Sequence, residues 1–191
     1  MIDNMESIRA MRVFPDRLTY YHPNDSCTGA ALRIELKLNL LREDRYGCFF
    51  LEIARQKAAA DPSSGSPYAT FDWPNKAIIK LSFLDVCAFL TVLEGRVHRL
   101  GPEGKGLFHQ YGSTNTLITL QQSQQNPGFY LGISRKETPG SNRFKAGILL
   151  NDAEAIGLRS VFQAGLFHLA FGGIPTDVGG PQPTGIQKKF V

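Results

Sequence analysis

The chain has 191 residues, 42% of them hydrophobic and 20% charged, with a net charge of +4. That length suits one domain or two very small ones with a real buried core, and no run approaches the ~18 apolar residues of a membrane span. The mild positive excess fits a polyanion partner without requiring one, and three widely spaced cysteines without a C-x-x-C pattern exclude a disulfide framework.

Taken in chain order, "MIDNMESIRAMRVF" has early acids and no long apolar stretch, so it does not read as a signal peptide. Residues 18–22, "LTYYH", read as a short strand, and "HPND" as the turn after it. "GAALRIELKLNL" (29–40) alternates strictly. Leu32, Ile34, Leu36, Leu38 and Leu40 face one side, and Arg33, Glu35, Lys37 and Asn39 the other, which predicts a half-buried strand. After the turn "REDRYG", residues 47–57 repeat the pattern with Phe49, Leu51 and Ile53. Residues 58–75 hold "DPSSGSP" and "DWPN", which predict a long loop without sheet.

"AIIKLSF" resumes as strand. Val86, Phe89, Leu90 and Leu93 then recur at helical spacing; Ser82 with Asp85 makes a capping box and Gly95 a stop. "RVHRLGPEGKG" reads as a flexible, Gly-rich connector. Four more strands follow: "LFHQY", "NTLITLQQS", "FYLGISRKE" and "FKAGILL", with turns at "QQNPG" and "TPGSN". Asn151 with Glu154 caps a longer helix carrying Leu158, Val161, Phe162, Leu166 and Leu169, ended by Gly172, Gly173 and Pro175. Residues 173–191 form a Gly/Pro-rich tail whose end, "GIQKKFV", either docks on a neighbouring sheet edge or stays solvated, its two lysines adding weak nonspecific charge.

The chain therefore says nearly the same thing twice. Aligning the helix starts pairs Ser82 with Asn151, Asp85 with Glu154, Phe89 with Leu158 and Leu93 with Phe162. The first half is longer, and the excess falls mainly in residues 58–75. The expected fold class is α+β: a tandem repeat of β-β-β-β-α units, about 15–97 and 105–172, in one domain over residues 1–172. Two antiparallel sheets and two helices would share a core, because one such unit leaves part of its apolar face uncovered. That core should contain Leu32, Ile34, Leu36, Ile53, Leu81, Phe89, Leu93, Ile118, Leu131, Ile148, Leu158 and Phe162.

This duplicated pattern over about residues 15–172 resembles the Whirly and Pur-alpha group of single-stranded nucleic-acid-binding proteins, and the related kinetoplastid mitochondrial RNA-binding proteins. Of the Lys-Gly-Lys-Ala-Ala-Leu strand run of Whirly proteins, only Lys105-Gly106-Leu107 has a counterpart here. The resemblance implies two sheets packed nearly at right angles, helices that help assemble oligomers, and binding of unpaired strands without strict sequence choice.

Binding single strands needs cations for phosphates and flat rings for bases. Tyr20, Tyr21 and His22 lie on the first strand, and Phe108, His109 and Tyr111 on its counterpart in the second half. Arg33 and Lys37 share an outward face; Tyr130 and Lys136 share another, beside Arg135. Strand aromatics ordinarily pack, but two matching aromatic–His clusters point to a surface. Lys105, in the connector, would reach a phosphate; the run lacks the order of a P-loop. Phe162, Leu166, Phe167, Leu169 and Phe171 span more than one face of the second helix, which predicts an oligomer interface.

Enzyme constellations are poor. His22, His98, His109 and His168 show no metal-ligand spacing, no orienting third group accompanies Cys27 and His22, and no acidic cluster suits two metals. Cys48 and Cys87 sit in apolar runs and read as buried free thiols, which favours a reducing, cytoplasmic setting. The expected function is non-catalytic binding of single-stranded DNA or RNA with weak sequence specificity, as a homo-oligomer, without metal, cofactor or membrane. The alternative is a protein-interaction or scaffold subunit built on the same fold.

Overall fold

Alternation between apolar and polar residues sets the sheets, and capping chemistry sets the helices. The computed structural model describes residues 17–37, 47–124, 126–137 and 143–171. The first sheet contains β1 (Arg17–His22), β2 (Ala30–Lys37), β3 (Cys48–Ala58), β4 (Thr70–Phe71) and β5 (Ala77–Leu81). Its order is β1-β2-β3, with β4 and β5 both pairing with β3. After α1 (Phe83–Leu93) come β6 (Leu107–Tyr111), β7 (Thr114–Gln122), β8 (Phe129–Glu137) and β9 (Arg143–Leu150), in that order in the second sheet, then α2 (Asp152–Phe171). All ladder pairs are antiparallel. The fold class is α+β, as expected.

Register places the apolar rows of both sheets on their inner faces. Leu32 sits opposite Ile53, and Ile34 opposite Leu51, which faces Ile79. In the second sheet, Ile118 pairs with Ile133 and Leu120 with Leu131, which faces Ile148. These rows join Phe89 and Phe162 in one cluster of buried residues. Phe162 meets Phe49 and Phe89 edge-on at 5.0 and 5.6 Å between ring centres, an arrangement worth about 0.5–1.5 kcal/mol beyond its buried area. Of the twelve expected core residues, Leu36 alone is only partly buried.

Both helix starts follow the expected chemistry. Ser82 and Asp85 form a reciprocal capping box, as do Asn151 and Glu154. Gly95, at φ 72°, closes α1: its N–H reaches the Val92 carbonyl, and the Arg96 N–H reaches that of Thr91. Each capping carboxylate is also gripped by a histidine from the other half. His22 Nε2 lies 2.8 Å from Glu154 Oε1, and His109 Nε2 lies 3.2 Å from Asp85 Oδ1. Each half thus helps hold the helix start of the other. α2 lies along the first sheet, and a Cβ on Gly165 would fall 2.3 Å from Phe49 Cζ.

Three expectations need correction or limit. Residues 58–75 are not simply loop. Thr70 and Phe71 have strand-favouring side chains and pair with β3 beyond the end of β5, so the first sheet has one strand more than the second. The connector is also not a free hinge. Leu100 is fully buried, its N–H bonds the Leu120 carbonyl, and the Gly106 N–H bonds the Leu100 carbonyl. Leu38, Leu40, the turns at 41–46 and 138–142, and the 173–191 tail lie outside the described residues. No helix among the described residues is long and apolar enough to cross a membrane.

Candidate nucleic-acid interface

The outer face of the second sheet reads in four register rows. One holds Phe108, Leu117, Ser134 and Lys145; the next holds Gln110, Asn115, Lys136 and Arg143. Thr119, Gly132 and Gly147 form the third, and Gln121, Tyr130 and Leu149 the fourth. Three cations and no carboxylate appear in these rows. Phe108 is 63% exposed and Tyr130 43%. Lys136, Arg143 and Lys145 form no ion pair among the described residues.

Tyr130 does not stand up from this face. A Cβ on Gly147 would lie 2.0 Å from its Oη, and one on Gly132 would lie 3.2 Å from its Cε1. The ring therefore lies across two bare strand positions with its outer side in water. A glycine inside a strand commonly marks such a close approach. A flat, supported, half-exposed ring on one face with lysines two and three rows along is suited to stack a base while the cations meet phosphates of neighbouring nucleotides.

The outer face of the first sheet is built differently. The chain after β4 brings Trp73 back over it: Arg33 Cζ sits 3.9 Å from the centre of the Trp73 ring, and Tyr21 packs 5.4 Å from Phe71 and 6.5 Å from Trp73. Ala31 and Ala54, on this same face, are fully buried. The cations here are spent internally except Lys80, which is exposed on β5 and forms no ion pair among the described residues. Glu52 pairs with Arg33 (3.5 Å) and Lys76 (3.1 Å), and Glu35 with Lys37 (2.5 Å) and Arg17 (3.0 Å). The Lys37 hydrogen bond, aided by Arg17, outweighs burial and holds the Glu35 carboxyl below the usual range.

The sequence-derived candidates accordingly separate. Tyr130 and Lys136 share the open face with Phe108, at opposite ends of β8. Tyr21, Arg33 and Lys37 lie on the closed face. Tyr20 and His22 alternate inward and pack on α2: the Tyr20 hydroxyl donates to the Glu154 carbonyl (2.8 Å), and burial, then the Glu154 charge, raises its pKa. His109 and Arg135 also point inward. Arg135 donates to the Ile78 carbonyl across the sheets, and burial lowers its pKa. Tyr111 is highly exposed at the β6–β7 turn. Lys105 pairs with Glu103 on the connector.

Of the five proposed interface residues, Phe162 and Leu169 are buried within the chain itself, because α2 is covered by the first sheet and by α1. Phe167 and Phe171, whose ring centres lie 5.2 Å apart, remain exposed, and Leu166 is half-buried. All three cysteines are free, and burial pushes the Cys48 thiol up. Sequence reasoning missed Arg143, Lys145 and the two glycines under Tyr130. The signal for the glycines was their place inside otherwise apolar strands.

No family model matches this chain, and no curated protein does. Solved structures do. WHY3 from Arabidopsis thaliana superposes with a TM-score of 0.62 at 18% identity, over 83% of this chain and 90% of that one. The Trypanosoma bruciei MRP1/MRP2 structure gives 0.54 at 13% identity, covering 82% and 94%. A guide-RNA-binding protein complex bound to a gRNA gives 0.52 at 20% identity, covering 86% and 97%. The fold is Whirly-like.

Proposed function

We propose that this protein binds single-stranded nucleic acid without catalysis, and that the outer face of the second sheet is its main contact surface. The observation that carries this reading is the Tyr130 ring laid over Gly132 and Gly147 on a sheet face that also carries three unpaired cations, two and three rows along. Each base stacked on such a ring contributes ~1–3 kcal/mol. Each phosphate neutralised adds about 0.7 to the salt slope of single-strand binding. The fold's likeness to a guide-RNA-binding complex supports the same reading. The two halves are then a tandem duplication in which one face kept an open surface, and the protein self-associates through Leu166, Phe167 and Phe171.

The test is a fluorescence-anisotropy titration of labelled single-stranded and duplex oligonucleotides, as DNA and as RNA, across a salt series. Tighter single-strand binding that weakens with salt is the expected result. Absence of single-strand binding at low salt removes the reading. A protein-interaction role has one observation in its favour, the exposed Phe167–Phe171 pair. It predicts partner binding that is insensitive to salt and lost in Phe167→Ala.

A further inference from the structure

At one end of the open face the sheet runs into a groove of about 800 Å³. Its floor is a single register row, Gln121, Tyr130 and Leu149. One wall is the connector, where Arg99 bridges to Gln121 and the Gln122 N–H bonds the His98 carbonyl at 3.2 Å. The other is the β7–β8 turn with Gln124 and Asn126, held by the Ser123 N–H on the Gly128 carbonyl at 2.9 Å.

The groove gathers three uncommitted carboxamides around one aromatic ring. Several carboxamides elsewhere are committed: Gln56 to Asn24, Gly29 and Ala58, Asn75 to Asp72, Gln163 to Glu94, and Asn151 to its helix start; the Asn115 Oδ1, three rows away on the same face, is buried without a partner. The Gln121, Gln124 and Asn126 side chains have no hydrogen-bond partner among the described residues. Each presents a donor and an acceptor side by side beside a ring that can stack. Arg99, exposed at the rim, also has no ion pair among the described residues.

A carboxamide is complementary to a base edge that offers one acceptor and one donor together. Unpaired adenine does so along both its edges, N7 or N1 beside the N6 amino group, whereas guanine does so only along O6 and N1–H, its N7/O6 edge offering two acceptors better matched by arginine, and a pyrimidine does so along one edge alone. A purine also covers more of the Tyr130 ring than a pyrimidine does. We infer that the groove is a base-selective pocket: one unpaired adenine stacks against Tyr130 and is read along its edge by the Gln121 carboxamide, with Arg99 on the neighbouring phosphate. This rests on the single-strand reading above, and adds one selective position to a surface that otherwise tolerates any sequence.

The experiment uses the full chain and labelled oligothymidine (and oligouridine) strands carrying no substitution or one central adenine, cytosine or guanine. The adenine strand should bind at least about fivefold more tightly than the unsubstituted one. Gln121→Leu should abolish that preference, so that the variant binds the adenine strand no more tightly than the unsubstituted one. Equal affinity for all four strands in the wild-type protein overturns the pocket and leaves single-strand binding standing. A guanine preference that Arg99→Ala removes also overturns it, because arginine would then be the reader. A preference for adenine that survives in a folded Gln121→Leu variant overturns the role of Gln121. No binding of any strand overturns both the pocket and the reading beneath it.

Discussion

On the first sheet, Trp73 and Phe71 lie against Tyr21 and Arg33, and the alanines on that face are sealed from water; on the second, Phe108 and Tyr130 stay in contact with solvent. The charge pattern follows the same division. Buried Glu35 and Glu52 neutralise the cations around them on the first face, while Lys136, Arg143 and Lys145 stand without a carboxylate in their rows on the second. Both sheets run through the same succession of long strands. The difference comes from the chain between β3 and β5, which the second half lacks. The 18 residues between β3 and β5, against 5 between β8 and β9, turn one outer face into packing and leave the other open.

The most disruptive probe of this contrast is Trp73→Ala. Removing a half-buried indole should cost about 2 kcal/mol, less than the ~3–5 expected of a fully buried ring, as read by chemical denaturation. Single-strand affinity should hold. If it falls as far as in Tyr130→Ala, both faces bind and the contrast is lost.

Tyr130→Ala should do the reverse. Affinity should drop by the equivalent of ~1–3 kcal/mol, while a partly exposed side chain on an open face should shift stability by no more than about 0.5 kcal/mol. Tyr21→Ala, measured alongside, should lower the melting temperature and spare affinity. A finer probe leaves the ring intact and disturbs its bed. In Gly147→Ala the new methyl meets the movable end of Tyr130, so the ring must lift. Stability should change little and affinity should fall part of the way toward Tyr130→Ala; unchanged affinity would show that the flat pose does not matter.

Charge gives two smaller effects. Lys136→Ala should reduce the salt slope by about 0.7, whereas Lys37→Ala, already engaged by Glu35, should leave it nearly unchanged. Glu35→Gln tests the closed face by pH. The Glu35 carboxyl is held below its usual range in the folded state, so its stabilisation is present above the unfolded pKa and lost as pH falls through the folded one. The variant should melt below the wild type at neutral pH, with the gap closing in acid. A gap independent of pH would mean that packing, not charge, is what Glu35 supplies.

Much of this architecture was legible because its causes are local. Eight strands show as alternation, and both helix starts show as a side chain and a backbone N–H three residues apart. β4 was not legible: two residues carry no period, and Thr70 and Phe71 pair only because β3 runs on past β5. The aromatic–His clusters misled for a related reason. In "LTYYH", both parities carry aromatic rings, so alternation says that Tyr20 and Tyr21 part company without saying which one meets α2. The stripe on α2 was read as excess apolar surface, yet Phe162 is enclosed by Phe49 and Phe89, which come from the other half of the chain.

What the sequence by itself determined is the order of elements, their inner faces and their caps, since period and capping depend on neighbours within a few residues. Which outer face stays open was decided only in three dimensions. Trp73 reaches Arg33 across forty residues of chain, Arg135 reaches Ile78 across fifty-seven, and Tyr130 lies flat because two glycines on neighbouring strands come into register beneath it. Register and crossing between sheets depend on contacts that no local pattern encodes, and on them rests whether a charged aromatic strand faces a ligand or its own core.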